Sequence, residues 1–428
     1  MLFRSLLVVN PGLERVLLEE VRLLVPSLQE GANRISCIRG GIEMDLNSRD
    51  ALVIASHSRV LESIRMRIGS FFASQWYQLE NGLNHLPLPT GWRFRPDLHI
   101  STHSSRLYHT KAIAERVERT RLFQSYSDTT APTIPFFLRF QNDRCTVSME
   151  IGGNYKRGYR VFVGDTPLRE TIAAAVAFSA LMRLGDGKVL ARCSDMSTRC
   201  SSISTRCSSM LARCSFDTPT HSSNPSTHSS ISSTHPSNSV PSTPLTVIDP
   251  FCGSGTLLQE FASFVKGDGP VSQRQRLVPE SSELFSHIPQ FVKQSIPRPL
   301  NPWTWLGNSE MIGFDANERV LRCAEQNTRL LGADGIRFER RDFAHLIKQY
   351  PAGRKVILSN PPYGYKSKAA KESLVTLYRQ LEEWILSLHS RDELAAASLL
   401  IPSFILDHHA SNARSEERRV GKECRSRW

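Results

Sequence analysis

The sequence predicts an α/β protein in two parts, an N-terminal α+β unit followed by a doubly wound parallel sheet. Three observations carry this. From Thr246 onward, apolar strand-like runs alternate with helical stretches, as βαβ units do. The conspicuous glycines and polar residues of that half fall at the carboxyl ends of those strands, where open α/β sheets bind ligands. The first 152 residues mix strand and helix signals and hold no acid/base cluster, so their expected role is binding. A chain of 428 residues has room for two or three domains.

The N-terminal elements follow in order. MLFRSLLVVN opens as a strand, and Leu13, Val16, Leu17, Val21 and Leu24 then share one helical face. Apolar stretches at 35–38 and 42–46 flank Arg39-Gly40-Gly41, a hairpin signal. A helix is expected from about 48 to 64, a strand near 66–73, and a basic helix over about 106–123 with Lys111, Arg116, Arg119 and Arg121. Two strands flank Asn142-Asp143.

In the second half, LTVIDPFCGSGTLLQEFASFV reads as a strand, a Gly-Ser-Gly turn and a helix. Gly253 and Gly255 let backbone approach a ligand closely at a helix N-terminus. MIGFDAN is a second strand ending in Asp315, where a carboxylate can accept from two ribose hydroxyls. The plain dinucleotide fingerprint puts that acid about 20 residues after its glycines. Here it lies 60 beyond Gly255, so an insertion is expected between them. IRFERRDFAHL is a third strand with Asp342 just after it, placed to accept from an adenine amine. KVILSNPPYG is a fourth, ending in Asn360, Pro361, Pro362 and Tyr363; the paired prolines remove two donors and fix two φ angles. ELAAASLLIPS is a fifth. Taken singly, a GSG turn is usually a tight connection and a strand-terminal Asp a cap. The ordered set at successive strand ends is far more specific.

Composition adds constraints. A net charge of +12 points to a polyanionic partner, and the absence of any run of about 18 apolar residues argues against a membrane span. The N-terminus lacks a cleavage-type motif and turns acidic early, so no targeting peptide is expected. Cys37, Cys145, Cys252 and Cys323 are far apart and form no CxxC, which fits a reducing compartment without a cysteine-ligated metal. Residues 192–240 repeat a seven-residue unit, with Cys at 193, 200, 207 and 214 and then His221, His228 and His235. Zinc sites pair ligands two to four residues apart, so the tract reads as a disordered insert from expansion of a 21-base unit. The terminal RSEERRVGKECRSRW resembles the in-frame translation of a sequencing-library adapter.

The motifs DPFCGSGT (249–256), GFDAN (313–317), RDF (341–343) and SNPPYG (359–364) resemble those of class I S-adenosylmethionine-dependent methyltransferases that modify exocyclic amines. RGYRVFVGDTPLRETIAAA (157–175) resembles the segment before the glycine motif in THUMP-domain RNA guanine-N2 methyltransferases. IRGGIEM and the strand pair ending in SMEIGG are similar to the ferredoxin-like plus THUMP module of that family, most of all its bacterial large-subunit ribosomal RNA branch.

The resemblance implies a THUMP RNA-binding module at 1–152 and a Rossmann-like methyltransferase domain at 153–413, interrupted at about 190–244, with a non-native tail at 414–428. It implies S-adenosyl-L-methionine as cofactor, with Asp249, Gly253 and Gly255 on its methionine side, Asp315 on the ribose and Asp342 on the adenine. Asn360 and the Pro361 carbonyl would accept from the target amine, Pro362 would stiffen the turn, and Tyr363 would stack on the base. The implied partner is RNA, ribosomal first and transfer RNA second, in the cytoplasm, with no metal and no membrane. A full domain of this class adds two strands after the fifth. Nothing in the sequence supplies them, so the sheet is expected to be truncated. N6-adenine and protein glutamine methyltransferases use the same tetrad, and an RNA-binding protein without catalysis is the non-enzymatic alternative. The THUMP-like N-terminus and the TPLRET segment favour RNA guanine.

Overall fold

The computed structural model describes residues 2–29, 35–87, 95–120, 133–153, 157–164, 167–184, 245–270, 299–363 and 368–402. The repeat insert, the 414–428 tail and any strands after the fifth lie outside the described residues.

The first unit is a seven-stranded sheet. Its strands are β1 (Leu2–Val8), β2 (Ser36–Ile38), β3 (Gly41–Asn47), β4 (Ser63–Phe72), β5 (Arg95–His103), β6 (Thr133–Gln141) and β7 (Arg144–Gly153). They lie in the order β2-β3-β1-β4-β7-β6-β5, and only β5 and β6 pair in parallel. Asn142 and Asp143 both take positive φ, at 50° and 61°, and close the β6–β7 hairpin as the two-residue turn their side chains favour. Ile64, Met66, Phe136, Leu138, Val147 and Met149 point to one face and are buried there. Helices α1 (Glu14–Leu24), α2 (Ser48–His57), α3 (Trp76–Asn84) and α4 (Thr110–Glu118) cover that face with Leu17, Leu52, Leu83 and Ile113 among others. The opposite face bears no helix among the described residues.

The second unit is a five-stranded sheet of β8 (Leu245–Asp249), β9 (Glu310–Asp315), β10 (Ile336–Arg340), β11 (Arg354–Ser359) and β12 (Leu394–Leu399). All pairings are parallel, in the order β10-β9-β8-β11-β12. Both faces are covered, so successive residues go to opposite cores: Val247 to one, Ile248 to the other. Helices α5 (Glu170–Leu184) and α6 (Thr256–Lys266) lie on the first face and α7 (Glu318–Leu331) packs along β9 and β10. The short α8 (Phe343–Leu346) and the long α9 (Lys368–Ser390) close the second face with Phe343, Leu381, Trp384 and Leu388. Helix α5 is alanine-rich and buried almost all round because it sits between this sheet, α6 and α1 of the first unit.

Some expected boundaries move. The helix expected over 48–64 ends at His57, where Ser58 turns extended and its hydroxyl donates to Glu20, and Ile64 belongs to β4. The helix expected over 106–123 is only Thr110–Glu118 among the described residues. Strand β5 and helix α3 have no counterpart in the sequence reading. β5 alternates exposed with half-buried residues along its length, so no apolar run betrays it.

Candidate active site

The carboxyl edge of the parallel sheet gathers the strand-end residues. Strand β8 ends in Asp249, which is 1% exposed. Its Oδ1 accepts the Phe251 N–H at 3.1 Å, while Oδ2 is buried with no partner. Burial first, then the neighbouring Asp315 charge, pushes this carboxyl up to about 8. The β8–α6 turn is tied to the next strand: Cys252 N–H donates to the Phe314 carbonyl at 2.9 Å, and Gly253 N–H to Asp315 Oδ2 at 3.1 Å. Both turn glycines are left-handed, Gly253 at φ +52° and Gly255 at φ +80°. A Cβ at Gly255 would lie 2.9 Å from both Gln259 and Phe338, whereas nothing stands within 4 Å of one at Gly253. The turn is thus packed from behind and open in front. Gly255 is also the N-cap of α6 and supplies no side-chain acceptor to the helix's first N–H groups.

Asp315 ends β9, and its Oδ1 accepts the Asn317 N–H at 2.8 Å. Asp342 follows β10 and caps α8: its Oδ1 accepts the His345 N–H at 2.9 Å and lies 2.7 Å from His345 Nδ1. Those contacts hold its carboxyl below the usual range. An open cleft of about 670 Å³ runs between these two strand ends, lined by Ala316, Arg340, Arg341, Asp342, His345, Lys348 and Gln349.

Strand β11 delivers the Asn-Pro-Pro-Tyr step. Asn360 is half-buried, and its Oδ1 is fully buried without a partner. Pro361 is buried and Pro362 exposed, and Tyr363 presents a ring that is 56% exposed. The Tyr378 hydroxyl of α9 donates to the Pro362 carbonyl at 3.4 Å, bracing the step from below. Burial, then Tyr363, raises that phenol above its ordinary range.

Two unpartnered buried oxygens therefore sit at the ends of adjacent strands, on Asp249 and Asn360. A buried acceptor without a donor is costly, and at the open carboxyl edge of the sheet such an atom is placed where a ligand can supply the missing group. One asks for a donor or a cation, the other for an N–H.

Several supporting residues escaped the sequence reading. Gln259 on α6 donates to the Ser254 and Ala324 carbonyls at 3.2 Å and to Thr328 Oγ at 3.0 Å, locking turn, α6 and α7 together. Asn327 on α7 is fully buried. Its Oδ1 accepts the Val161 and Phe162 N–H groups at 3.2 and 3.0 Å, and its Nδ2 donates to the Phe162 carbonyl at 2.7 Å. It pins the 157–164 segment over α7. Glu260, one residue after Gln259, is the centre of a buried charge cluster. Arg59 Nε donates to it at 2.8 Å, Arg157 Nε lies 3.3 Å away, and the Tyr159 hydroxyl donates at 2.7 Å. Burial opposes its ionisation, but the two guanidinia outweigh it and hold the carboxyl below its ordinary value. Only the cap glycines and strand ends carry a local signal. A buried Arg or Glu looks in sequence like a surface residue.

The five parallel strands, with their polar residues gathered at the carboxyl edge, form a Rossmann-like domain. Residues 238–425 match the family model described as RMKL-like, methyltransferase domain. Ribosomal RNA large subunit methyltransferase K/L of Syntrophotalea carbinolica is 26% identical over 392 residues, which is 87% of this chain and 46% of that protein. This chain thus spans about half the length of that relative. Among solved structures, a predicted N6-adenine-specific DNA methylase from Listeria monocytogenes superposes with a TM-score of 0.55 at 20% identity, over 93% of this chain and 88% of that one. SMU.472 complexed with SAH superposes with a TM-score of 0.55 at 18% identity, over 90% and 87%. These likenesses are of fold. Among the described residues, no helix is long and apolar enough to cross a membrane.

Proposed function

We propose that this chain transfers a methyl group from S-adenosylmethionine to the exocyclic N2 amine of a guanine in structured RNA, ribosomal RNA foremost, in the cytoplasm. The observation that carries the reading is the unpartnered, buried Asn360 Oδ1 beside the Pro361-Pro362 step, one strand from the equally unpartnered Asp249 Oδ2.

The bound cofactor supplies an activated methyl on a sulfonium, so the protein's work is orientation. Asp249 offers a carboxylate to the cofactor's ammonium, and Gly253 leaves its backbone bare for close approach. Asp315 keeps acceptor capacity for ribose hydroxyls while holding the turn through Gly253. Asp342, already a cap through Oδ1, has Oδ2 for an adenine amine. A guanine amine is a poor nucleophile because its lone pair is delocalised into the ring. Asn360 Oδ1 and the Pro361 carbonyl accept its two N–H bonds, turning the lone pair toward the methyl. The prolines hold both acceptors still, and Tyr378 occupies the Pro362 carbonyl so that Pro361 is the one left free. Tyr363 is the shelf for a base swung out of its stack. The N-terminal unit, domain 1–152 in this reading, grips the RNA, and 153–413 does the chemistry.

Asn360→Ala separates the two halves of this reading. It should leave S-adenosylmethionine binding within about twofold by calorimetry and lower transfer to RNA by roughly three orders of magnitude, the loss of a paired-acceptor geometry. Transfer at the wild-type rate would refute the role given to Asn360.

A further inference from the structure

We propose that the face of the seven-stranded sheet that bears no helix among the described residues is a docking surface for single-stranded RNA, centred on a column of flat groups across β4, β6 and β5. This rests on the reading above that the substrate is RNA.

The register places the column. Phe137 of β6 pairs with His99 of β5 on one side, and on the other the strands run through β7 to β4. The His99 ring stacks on Phe137 at 4.9 Å and 17°. The Arg65 guanidinium of β4 lies 3.4 Å from the centroid of the same ring, reaching across β7 from the opposite side. The result is a stack of cation, phenyl and imidazole standing on the sheet. Its outer end is His99, half exposed, with Asp97 3.2 Å from Nε2. One residue row further along, Arg139 pairs with Thr146, and beyond it Arg144 pairs with Phe72, whose ring is 55% exposed. Arg139 and Arg144 are exposed and make no ion pair among the described residues.

The acids of the sheet's other half are matched. Glu43 and Asp45 pair with Arg4 and Arg67. On this half Glu150 lies opposite Arg65 and Asp97 beside His99, so the positive charge without an acid partner among the described residues is that of Arg139 and Arg144, next to the exposed Phe72. Phosphates answer the free arginines, and an unstacked base answers the open ring face. A duplex keeps its bases stacked inside and has no use for that face. An acidic peptide would answer the arginines but not the rings. The occupant that uses both is an unpaired RNA stretch.

The test uses the 428-residue chain and a labelled, unstructured single-stranded RNA of about 12 nucleotides, a site of the usual size for such surfaces. Affinity is read by anisotropy across a salt series. Arg139→Glu with Arg144→Glu should weaken binding at least tenfold and flatten the salt slope by about 1.4, near 0.7 per lost phosphate contact on a single strand. His99→Ala should weaken binding about tenfold with the slope unchanged, because stacking is not ionic. Lys111→Glu with Arg119→Glu, at exposed positions of α4 and its C-cap, should stay within twofold. The proposal is overturned if the sheet variants bind like wild type, if the α4 variant loses binding in their place, or if a duplex or polyglutamate is held more tightly than the single strand. S-adenosylmethionine binding is measured on the same variants. Loss of RNA binding in a protein that never binds the cofactor would leave this surface standing and remove the enzyme reading. Intact cofactor binding and methylation with indifferent sheet variants would do the reverse.

Discussion

Asp249→Asn should change how stability depends on pH more than stability itself. Asp249 is buried, with one oxygen held by Phe251 and the other by nothing. Its folded carboxyl titrates at about 8 against an ordinary 3.8. A group raised on folding contributes full stability below its unfolded value and loses it as pH climbs through the folded one. Each unit is worth 1.36 kcal/mol, so the ligand-free wild type should lose about 3–4 kcal/mol between pH 5 and pH 8 through this residue. Asparagine cannot ionise and keeps the acceptor for Phe251. Its amide donor meets the same partnerless space, at a cost of about 1–3 kcal/mol at every pH. The unfolded carboxyl is already ionised at pH 5, which costs the wild type about 1.6 kcal/mol there, so the variant should lie within about 1.5 kcal/mol of wild type at pH 5 and be more stable by about 2–4 kcal/mol at pH 8. Urea denaturation of the ligand-free chain at the two values reads this directly. A wild-type-minus-variant difference that is the same at both, within about 1 kcal/mol, would refute the reasoning.

Other perturbations follow from the same geometry. Since the cofactor's ammonium would favour ionised Asp249, S-adenosylmethionine should bind more tightly as pH rises from 6 to 8 and release a proton, seen as a buffer-dependent calorimetric heat; affinity independent of pH would contradict it. Gly255→Ala meets both a positive φ and contacts at 2.9 Å, and should cost about 2–4 kcal/mol together with most cofactor affinity, by thermal melting and calorimetry. Glu260→Gln strands two buried guanidinia and should destabilise by about 3–5 kcal/mol in chemical denaturation, where an effect under about 1 kcal/mol would show the cluster to be hydrated. Asn327→Ala releases the backbone of Val161 and Phe162 and should raise amide hydrogen exchange there while leaving β8 and β9 protected.

The parallel sheet was legible because its strands are buried on both faces. LTVID, MIGFD and KVILS read as unbroken apolar runs, and each stops at a residue no strand interior would choose. The Asn142-Asp143 turn was legible for a similar reason, since two residues that tolerate positive φ stood between two alternating runs. What the sequence hid depends on contacts far along the chain. Arg59 and Glu260 are 201 residues apart, and neither predicts the other. Strand β5 presents one polar side to solvent and a thin apolar side to α4, so its alternation is weak. Asp342 was legible as a strand-end acid, yet its Oδ1 is spent on capping α8, the ordinary role for such a residue. Only Oδ2 is left for a ligand.

The nucleoside that is made tests the proposed methyl transfer most directly. Structured ribosomal RNA incubated with the protein and isotope-labelled S-adenosylmethionine, digested and resolved by mass spectrometry, should carry the label as N2-methylguanosine. Label in N6-methyladenosine would contradict the base assignment, and unlabelled RNA from a protein that binds the cofactor would contradict the reaction itself.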